Sequence, residues 1–203
     1  MMIYTKKYAA PAVNERECLR YAGTGRQMLS AAEEALFSEC MAEALTGLSY
    51  QVCWGRFPIR RTETTMEIGF LQTDSQALRK NLEGCTEVIL FAATIGIGID
   101  RLIRRYSLLS PAKALFFQAI GAERIESLCD AFCAEREAEG LRLRPRFSPG
   151  YGDLPLELQR DLFRGLDCSR KIGLTLNESL LMSPSKSVTA IAGIVGRAEA
   201  EKE

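Results

Sequence analysis

A segment rich in arginine, proline and glycine interrupts the second half of the chain. Residues 142–155 read RLRPRFSPGYGDLP and contain three arginines, three prolines, two glycines and one tyrosine. Helices that follow one another in a compact domain usually need only a short polar connection. Proline fixes φ, glycine permits positive φ, and arginine offers a planar fork of donors that suits a carboxylate or phosphate. We therefore predict a loop that holds one shape against a small ligand. An ordinary surface loop with solvated arginines is the alternative.

The length, composition and net charge of the chain are those of an ordinary globular protein. Its 203 residues are enough for one substantial core or two small ones, and 47% are hydrophobic while 26% are charged. The formal net charge is zero, so nothing indicates binding to nucleic acid or to an anionic membrane. No apolar run approaches the ~20 residues that span a bilayer, and the first residues lack the apolar stretch of a secretory signal. We expect a cytoplasmic protein that does not bind membranes.

Histidine is absent, and this removes several mechanisms. A Ser-His-Asp triad, a Cys-His pair, an HExxH zinc site and a histidine ligand for haem or cobalt are all excluded on this chain. Seven cysteines occur without CxxC spacing, which indicates reduced, buried thiols. Cys129 and Cys133 share a helix face and could form half a metal site, but no second pair completes it. We predict no metal site.

Hydrophobic periodicity and capping signals predict alternating helices and strands. The expected fold class is α+β: a single domain over residues 1–203, with a twisted, mostly antiparallel sheet flanked by helices. Residues 1–12 and 197–203 are expected to be loosely ordered. The predicted helices cover residues 15–21, 30–45, 75–82, 100–108, 111–137 and 156–166, and the predicted strands cover 50–57, 62–70, 87–94, 172–176 and 187–195.

A glycine-containing turn, residues 95–100 (IGIGID), joins a buried strand to a helix. Such a turn is typical of dinucleotide-binding proteins, where glycines let the backbone approach the pyrophosphate. Here the third glycine of GxGxxG is missing, and no acidic residue ends a following strand at the expected distance. Close packing between strand and helix is the favoured explanation of Gly96 and Gly98, and a nucleotide-binding enzyme is the alternative.

Three motifs follow one another in the second half of the chain. They are residues 146–151 (RFSPGY), 172–179 (IGLTLNES) and 182–188 (MSPSKSV). Together they resemble the activation domain of cobalamin-dependent methionine synthase, which carries an R-x-x-P-G-Y loop, an L-T-E-S-like segment and an M-x-P-x-x-S-V turn in this order. The resemblance covers about residues 115–195, and the first half resembles the shorter, stand-alone bacterial versions of this domain.

The resemblance implies a function. In that family the domain binds S-adenosylmethionine and supports the reductive methylation of inactive cob(II)alamin to methylcobalamin, with an electron from a flavodoxin- or ferredoxin-type donor. This chain carries no cobalamin-binding motif, so cobalamin is expected on a separate methionine synthase subunit. The chain is then a reactivation subunit rather than an enzyme by itself. The alternative is a non-catalytic subunit that docks on a corrinoid protein without binding S-adenosylmethionine.

The resemblance also implies which residues bind the ligand. By analogy Arg146 holds the ligand carboxylate, Tyr151 offers its ring or hydroxyl, and Pro149 and Gly150 shape the loop so that backbone amides face the ligand. Glu135, near the end of the long helix, is expected to meet the ammonium or sulfonium charge. The implied set is Glu135, Arg146, Phe147, Pro149, Gly150 and Tyr151. Two family features have no match here: an acidic contact in an N-terminal segment, and a tyrosine-containing segment after the last strand.

Overall fold

An antiparallel sheet of six strands forms the centre of the computed structural model, which describes residues 2–24 and 29–195. The strand order is β4-β3-β2-β5-β8, and β1 pairs with the start of β2 on the same side as β3. A separate two-stranded ribbon joins β6 to β7. The strands are β1 (Tyr4–Tyr8), β2 (Tyr50–Arg61), β3 (Met66–Ile68), β4 (Leu71–Thr73), β5 (Cys85–Thr94), β6 (Thr175–Leu176), β7 (Met182–Ser183) and β8 (Ser187–Val195).

Helices cover both faces of the sheet. One face packs against α1, α2, α4 and α5, and the other packs against α3, α6 and α7. A short 3-10 helix, Leu156–Leu158, leads into α6. The helices are α1 (Glu15–Tyr21), α2 (Ala31–Thr46), α3 (Gln76–Asn81), α4 (Gly98–Leu109), α5 (Pro111–Ala138), α6 (Gln159–Leu166) and α7 (Cys168–Ile172).

Strand β5 shows why the sheet is buried on both sides. Ile89 and Phe91 point into the core under α5, whereas Val88 and Leu90, which alternate with them, point into the core under α6. Because successive side chains of a strand point to opposite faces, a strand that is apolar at every position is buried on both. The prediction of an α+β domain with an antiparallel sheet flanked by helices is confirmed.

Local capping signals fix several helix starts where the sequence predicts them. The Asn14 side chain accepts a hydrogen bond from the Glu17 amide at the start of α1. Ser30 and Glu33 form a reciprocal capping box at the start of α2. Pro111 occupies the first position of α5, where its missing amide hydrogen costs nothing. These three helix starts are confirmed.

Three elements differ from the sequence-based expectations. Residues 1–12 were expected to be loosely ordered, but Tyr4–Tyr8 pair with β2 as an exposed edge strand whose polar side chains give little periodic signal. The expected strand at 62–70 is two short strands of a hairpin, β3 and β4. The expected strand at 172–176 shrinks to β6, because Ile172 ends α7 and Gly173 adopts a left-handed φ of +65°. The tail at 197–203, also expected to be loosely ordered, lies outside the described residues.

The glycine turn after β5 serves close packing. A Cβ atom on Gly98 would lie 2.1 Å from the Gly47 carbonyl oxygen, and one on Gly96 would lie 2.3 Å from the Ser49 hydroxyl. The backbone after α2 therefore lies directly against the turn. The dinucleotide-binding turn of doubly wound folds needs that space and follows a strand of a parallel sheet, whereas β5 pairs with the antiparallel strands β2 and β8. The structure thus supports the packing explanation of Gly96 and Gly98 over the dinucleotide-binding one.

A buried charged cluster fastens the N-terminal segment to α5. Arg124 is fully buried and donates to the carbonyl oxygens of Pro11 and Ala12, both at 2.7 Å, and to the Glu123 carboxylate. Glu123 also accepts from the Ser127 hydroxyl at 2.6 Å and from the Asn14 amide at 3.0 Å. Burial raises the pKa of Glu123, but the hydrogen bonds from Arg124, Ser127 and Asn14 outweigh it and leave that pKa lowered.

Candidate functional site

The first half of the 142–155 segment lies along the free edge of β8. The Arg144 amide donates to the Gly193 carbonyl at 2.8 Å, and Phe147 and Ile191 exchange two backbone hydrogen bonds of 2.9 and 2.8 Å. The segment is thus an irregular edge strand up to Phe147. Beyond Phe147 the chain turns away, and the edge of β8 at residues 187–190 faces the space that this turn encloses.

The Pro149-Gly150-Tyr151 turn holds its shape through its own backbone. The Gly150 amide donates to the Leu154 carbonyl at 2.9 Å, and the Tyr151 amide donates to the Ser148 carbonyl at 3.1 Å. Gly150 has a φ of +91°, a region that favours glycine. We expected backbone amides of this turn to face the ligand. That detail is wrong for Gly150 and Tyr151, because both amides are used inside the loop.

Asp153 anchors the far end of the loop to α3. Its carboxylate accepts from the Ser75 hydroxyl and from the amides of Gln76 and Ala77, at 2.8 and 3.1 Å. The hydrogen bond from Ser75, followed by those from the two amides, lowers the pKa of Asp153. A carboxylate at a helix N-terminus satisfies amides that have no partner within the helix. The loop is therefore fixed at β8 and at α3, with its turn between them.

A cleft of about 270 Å³ opens between this loop, α5, the start of α6 and the start of β8. It brings together the first and third sequence motifs, which lie more than thirty residues apart in the chain. The second motif lies outside the lining, but its Thr175 and Leu176 pair with Ser183 and Met182 and so position the third. The lining residues are Glu126, Arg146, Ser148, Tyr151, Gln159, Met182, Ser187, Val188 and Thr189.

Arg146 is the positive group of the cleft and lies between two carboxylates of α5. Its guanidinium contacts Glu126 Oε2 and Asp130 Oδ1, each at 2.8 Å. The arginine side chain is 24% exposed, whereas those of Glu126 and Asp130 are 45% and 73% exposed. Burial lowers the pKa of Arg146, but the neighbouring thiols and carboxylates outweigh it and raise that pKa. The cluster joins a fixed cation to two carboxylates that water reaches.

The remaining residues of the predicted loop set divide into lining and support. Tyr151 lines the cleft and is 60% exposed, and its ring centroid lies 6.1 Å from that of Phe147 in an edge-to-face arrangement. Phe147 is half-buried and packs on the core under α6. Pro149 is buried, and Gly150 forms the turn. Arg146 and Tyr151 are thus placed to touch a ligand, while Phe147, Pro149 and Gly150 hold them in position.

Glu135 lies apart from the cleft. It pairs with Lys6 at 2.8 Å and with its neighbour Arg136, beside β1. Glu135 follows Glu126 by nine positions, about two and a half helical turns, so the two carboxylates point to opposite sides of α5. The structure brings Glu126, and not Glu135, to Arg146. A helical spacing of four between Glu126 and Asp130, beside an arginine-bearing loop, was the sequence signal that could have found this pair.

Two buried polar groups of the lining also escaped the sequence analysis. Gln159 is 7% exposed and Thr189 is 1% exposed. Within residues 2–24 and 29–195, neither Gln159 Oε1 nor Thr189 Oγ1 has a hydrogen-bond partner. Buried polar atoms are almost always paired with protein groups or water, so two such atoms in the wall of a cleft are available to a ligand that enters it. Neither residue type stands out in a sequence, because each is common on surfaces.

The described residues offer neither a metal site nor a membrane-spanning helix. They contain no group of three or more Cys, Asp or Glu side chains arranged to hold a metal ion. None of the helices in that part of the chain combines the length and apolarity needed to cross a bilayer.

Comparisons with known proteins identify the fold. No protein-family model matches the chain, and no curated protein matches it. Among solved structures, the chain matches the crystal structure of the MetH reactivation domain bound to AdoHcy with a TM-score of 0.72 and 15% sequence identity, covering 97% of this chain and 79% of that one.

The chain has the fold of the MetH reactivation domain. The resemblance drawn from the three motifs is confirmed at this level. The TM-score of 0.72 establishes the fold, and the low identity of 15% leaves the ligand to be argued from the residues of the cleft.

Proposed function

We propose that this protein binds S-adenosylmethionine in the cleft beside Arg146. The observation that carries the proposal is the meeting of Arg146, Glu126 and Tyr151 in one cleft of a MetH reactivation-domain fold. The solved neighbour holds AdoHcy, the demethylated product of S-adenosylmethionine, which supports a ligand of the same class here. The protein then acts as a reactivation subunit for a cobalamin-dependent methionine synthase.

The charges of the cleft fit the amino-acid end of that ligand. The ligand carboxylate binds Arg146 by charge-assisted hydrogen bonds, and it displaces the solvent-exposed Asp130 from the guanidinium. Glu126, which already lies 2.8 Å from Arg146, accepts from the ligand ammonium and keeps the arginine neutralised. Tyr151 presents an exposed ring or hydroxyl to the ligand. Arg146 and Glu126 together thus complement a zwitterion.

The reaction requires this chain mainly to position the methyl donor. Cobalamin would be supplied by a separate cobalamin-binding subunit and the electron by a flavodoxin- or ferredoxin-type donor. This chain would hold the S-adenosylmethionine whose sulfonium methyl group is transferred to the cobalt, which leaves AdoHcy. No proton moves in that transfer, so a chain without histidine lacks nothing that the reaction needs. The residues of the cleft hold the methyl donor.

A second candidate is a subunit that docks on a corrinoid protein without binding S-adenosylmethionine. It is favoured by the state of Arg146, whose guanidinium already contacts both Glu126 and Asp130. A ligand carboxylate must compete with these two groups. If the competition fails, the cluster only fastens the loop to α5.

The test combines the protein with a cobalamin-binding methionine synthase that lacks its own reactivation domain. Cob(II)alamin recovery is followed by its visible spectrum, with a flavodoxin-type donor and with or without S-adenosylmethionine. We expect recovery only when both this protein and S-adenosylmethionine are present. Co-purification of the two proteins without any effect of S-adenosylmethionine would favour the second candidate. Absence of both association and recovery would contradict each of them.

A further inference from the structure

The cleft has a charged side and a neutral side. Glu126 belongs to α5, which covers one face of the sheet. Thr189 shares its strand face with Ile191, which points into the core under α6, and Gln159 is the first residue of α6. The cleft therefore straddles the edge of β8. The charges lie on the α5 side, and the two unpaired polar groups lie on the α6 side.

The backbone of Thr189 adds hydrogen-bonding groups to the neutral side. Residues 191, 193 and 195 of β8 bond outward to the 142–147 segment. In an antiparallel ladder the outward-facing residues alternate, so Thr189 directs its own amide and carbonyl to the same edge. There the segment has already turned away. The neutral side thus offers a carboxamide, a hydroxyl and a strand edge, all without charge.

This set of groups suits a nucleobase better than a phosphate. A glutamine carboxamide donates and accepts side by side, and this pattern matches the N6 amino group and the adjacent ring nitrogen of adenine. A hydroxyl such as that of Thr189 serves as donor or acceptor. The nearby charges are one arginine and two carboxylates, an excess of negative charge that disfavours phosphates.

We propose that Gln159 and Thr189 form an adenine-reading subsite of the cleft, which makes the site selective for an adenosyl ligand without phosphates. The proposal rests on the proposed function, since the amino-acid end of the same ligand lies at Arg146 and Glu126. It assigns a role to two buried polar residues that packing alone leaves unexplained.

The experiment compares AdoHcy with S-inosylhomocysteine, in which the 6-amino group is replaced by a carbonyl oxygen, by calorimetric titration. The wild type is expected to prefer AdoHcy by about tenfold or more. Gln159→Met keeps the volume and removes the carboxamide, so it is expected to bind both ligands with nearly equal affinity. Thr189→Val, which keeps the shape and removes the hydroxyl, is expected to weaken AdoHcy several-fold.

The melting temperature without ligand distinguishes a ligand-binding role from a structural one, because loss of a structural hydrogen bond would lower it. Because Gln159 Oε1 and Thr189 Oγ1 are unpaired, apolar replacements of the same shape are expected to leave the melting temperature unchanged or raised. Two results would overturn the subsite alone, provided that the wild type binds AdoHcy. One is a lowered melting temperature in both variants, and the other is a preference of Gln159→Met for AdoHcy over S-inosylhomocysteine that equals the wild type's. Failure of the wild type to bind either ligand overturns the proposed function together with the subsite.

Discussion

Helix α5 contributes carboxylates to several arginine clusters, and two of these, at Arg124 and at Arg146, differ in their access to water. In the first cluster, the Arg124 and Glu123 side chains are 0% and 3% exposed, and backbone groups of the N-terminal segment complete their hydrogen bonds. In the second, Arg146 is 24% exposed and its partners Glu126 and Asp130 are more exposed still. The first cluster is closed and the second is open.

The difference separates a structural cluster from a ligand site. Exchanging a partner in the closed cluster would leave a buried charge unpaired, which is strongly unfavourable. In the open cluster water can solvate a displaced carboxylate, so a ligand can take its place at small cost. Glutamates of one helix therefore help to fasten the N-terminal segment through Arg124 and to hold an exchangeable cation, Arg146, in the loop.

The largest expected effect comes from breaking the closed cluster. Arg124→Ala leaves the Glu123 carboxylate buried without its partner and should reduce the free energy of unfolding by about 3–5 kcal/mol. Urea unfolding monitored by circular dichroism measures it. Arg146→Ala is the matched control and should change stability by no more than about 1 kcal/mol, because water can solvate the exposed carboxylates of Glu126 and Asp130 that it leaves behind. Equal losses in the two variants would remove the distinction between the clusters.

A smaller effect is expected in the acid stability of the closed cluster. The pKa of Glu123 is lowered in the folded protein, so its carboxylate stabilises the fold above the ordinary glutamate value and loses that contribution as pH falls through the folded pKa. Glu123→Gln should be less stable than the wild type at neutral pH, and the difference should shrink below about pH 4. Urea titrations at several pH values test this. A difference that stays constant with pH would show that Glu123 is not the titrating group.

The smallest effects are expected from the carboxylates of the open cluster, and they should have opposite signs. Asp130→Asn removes a competitor for Arg146 and should strengthen AdoHcy binding by a few-fold, since an exposed ion pair contributes about 0.2–1 kcal/mol. Glu126→Gln removes the acceptor for the ligand ammonium and should weaken binding. Both are measured by calorimetry, with unfolding curves as a control for folding. Equal effects of the same sign would contradict the separate roles of the two carboxylates.

Local signals predicted the fold where they were periodic or chemically specific. Apolar residues on both faces of β5 and the caps at Asn14 and Ser30 placed their elements correctly. Strand β1 escaped prediction because an exposed edge strand carries no hydrophobic alternation. The end of α7 at Ile172 depends on the left-handed Gly173, which a β-like run of residues concealed.

The sequence predicted the part of the candidate site that lies within one local motif, but not the contacts between that motif and distant elements. The resemblance of the RFSPGY motif to the methionine synthase activation domain singled out Arg146 and Tyr151, and both line the cleft. The residues that meet them come from α5, α6 and β8. Glu126 had the pattern of a solvated helix position, and only the path of the loop along β8 brings Arg146 to it. Sequence periodicity gives the face of a helix but not which loop covers that face.

The central claim is that Arg146 binds the carboxylate of an adenosyl ligand, and calorimetric titration of AdoHcy tests it most directly. Arg144→Ala is the matched control, because Arg144 belongs to the same segment and donates to the Glu83 carbonyl outside the cleft. We predict micromolar binding by the wild type, an affinity within about twofold of it for Arg144→Ala, and a loss of about ten- to hundredfold for Arg146→Ala. Unchanged affinity in Arg146→Ala, or no binding by the wild type, would contradict the claim.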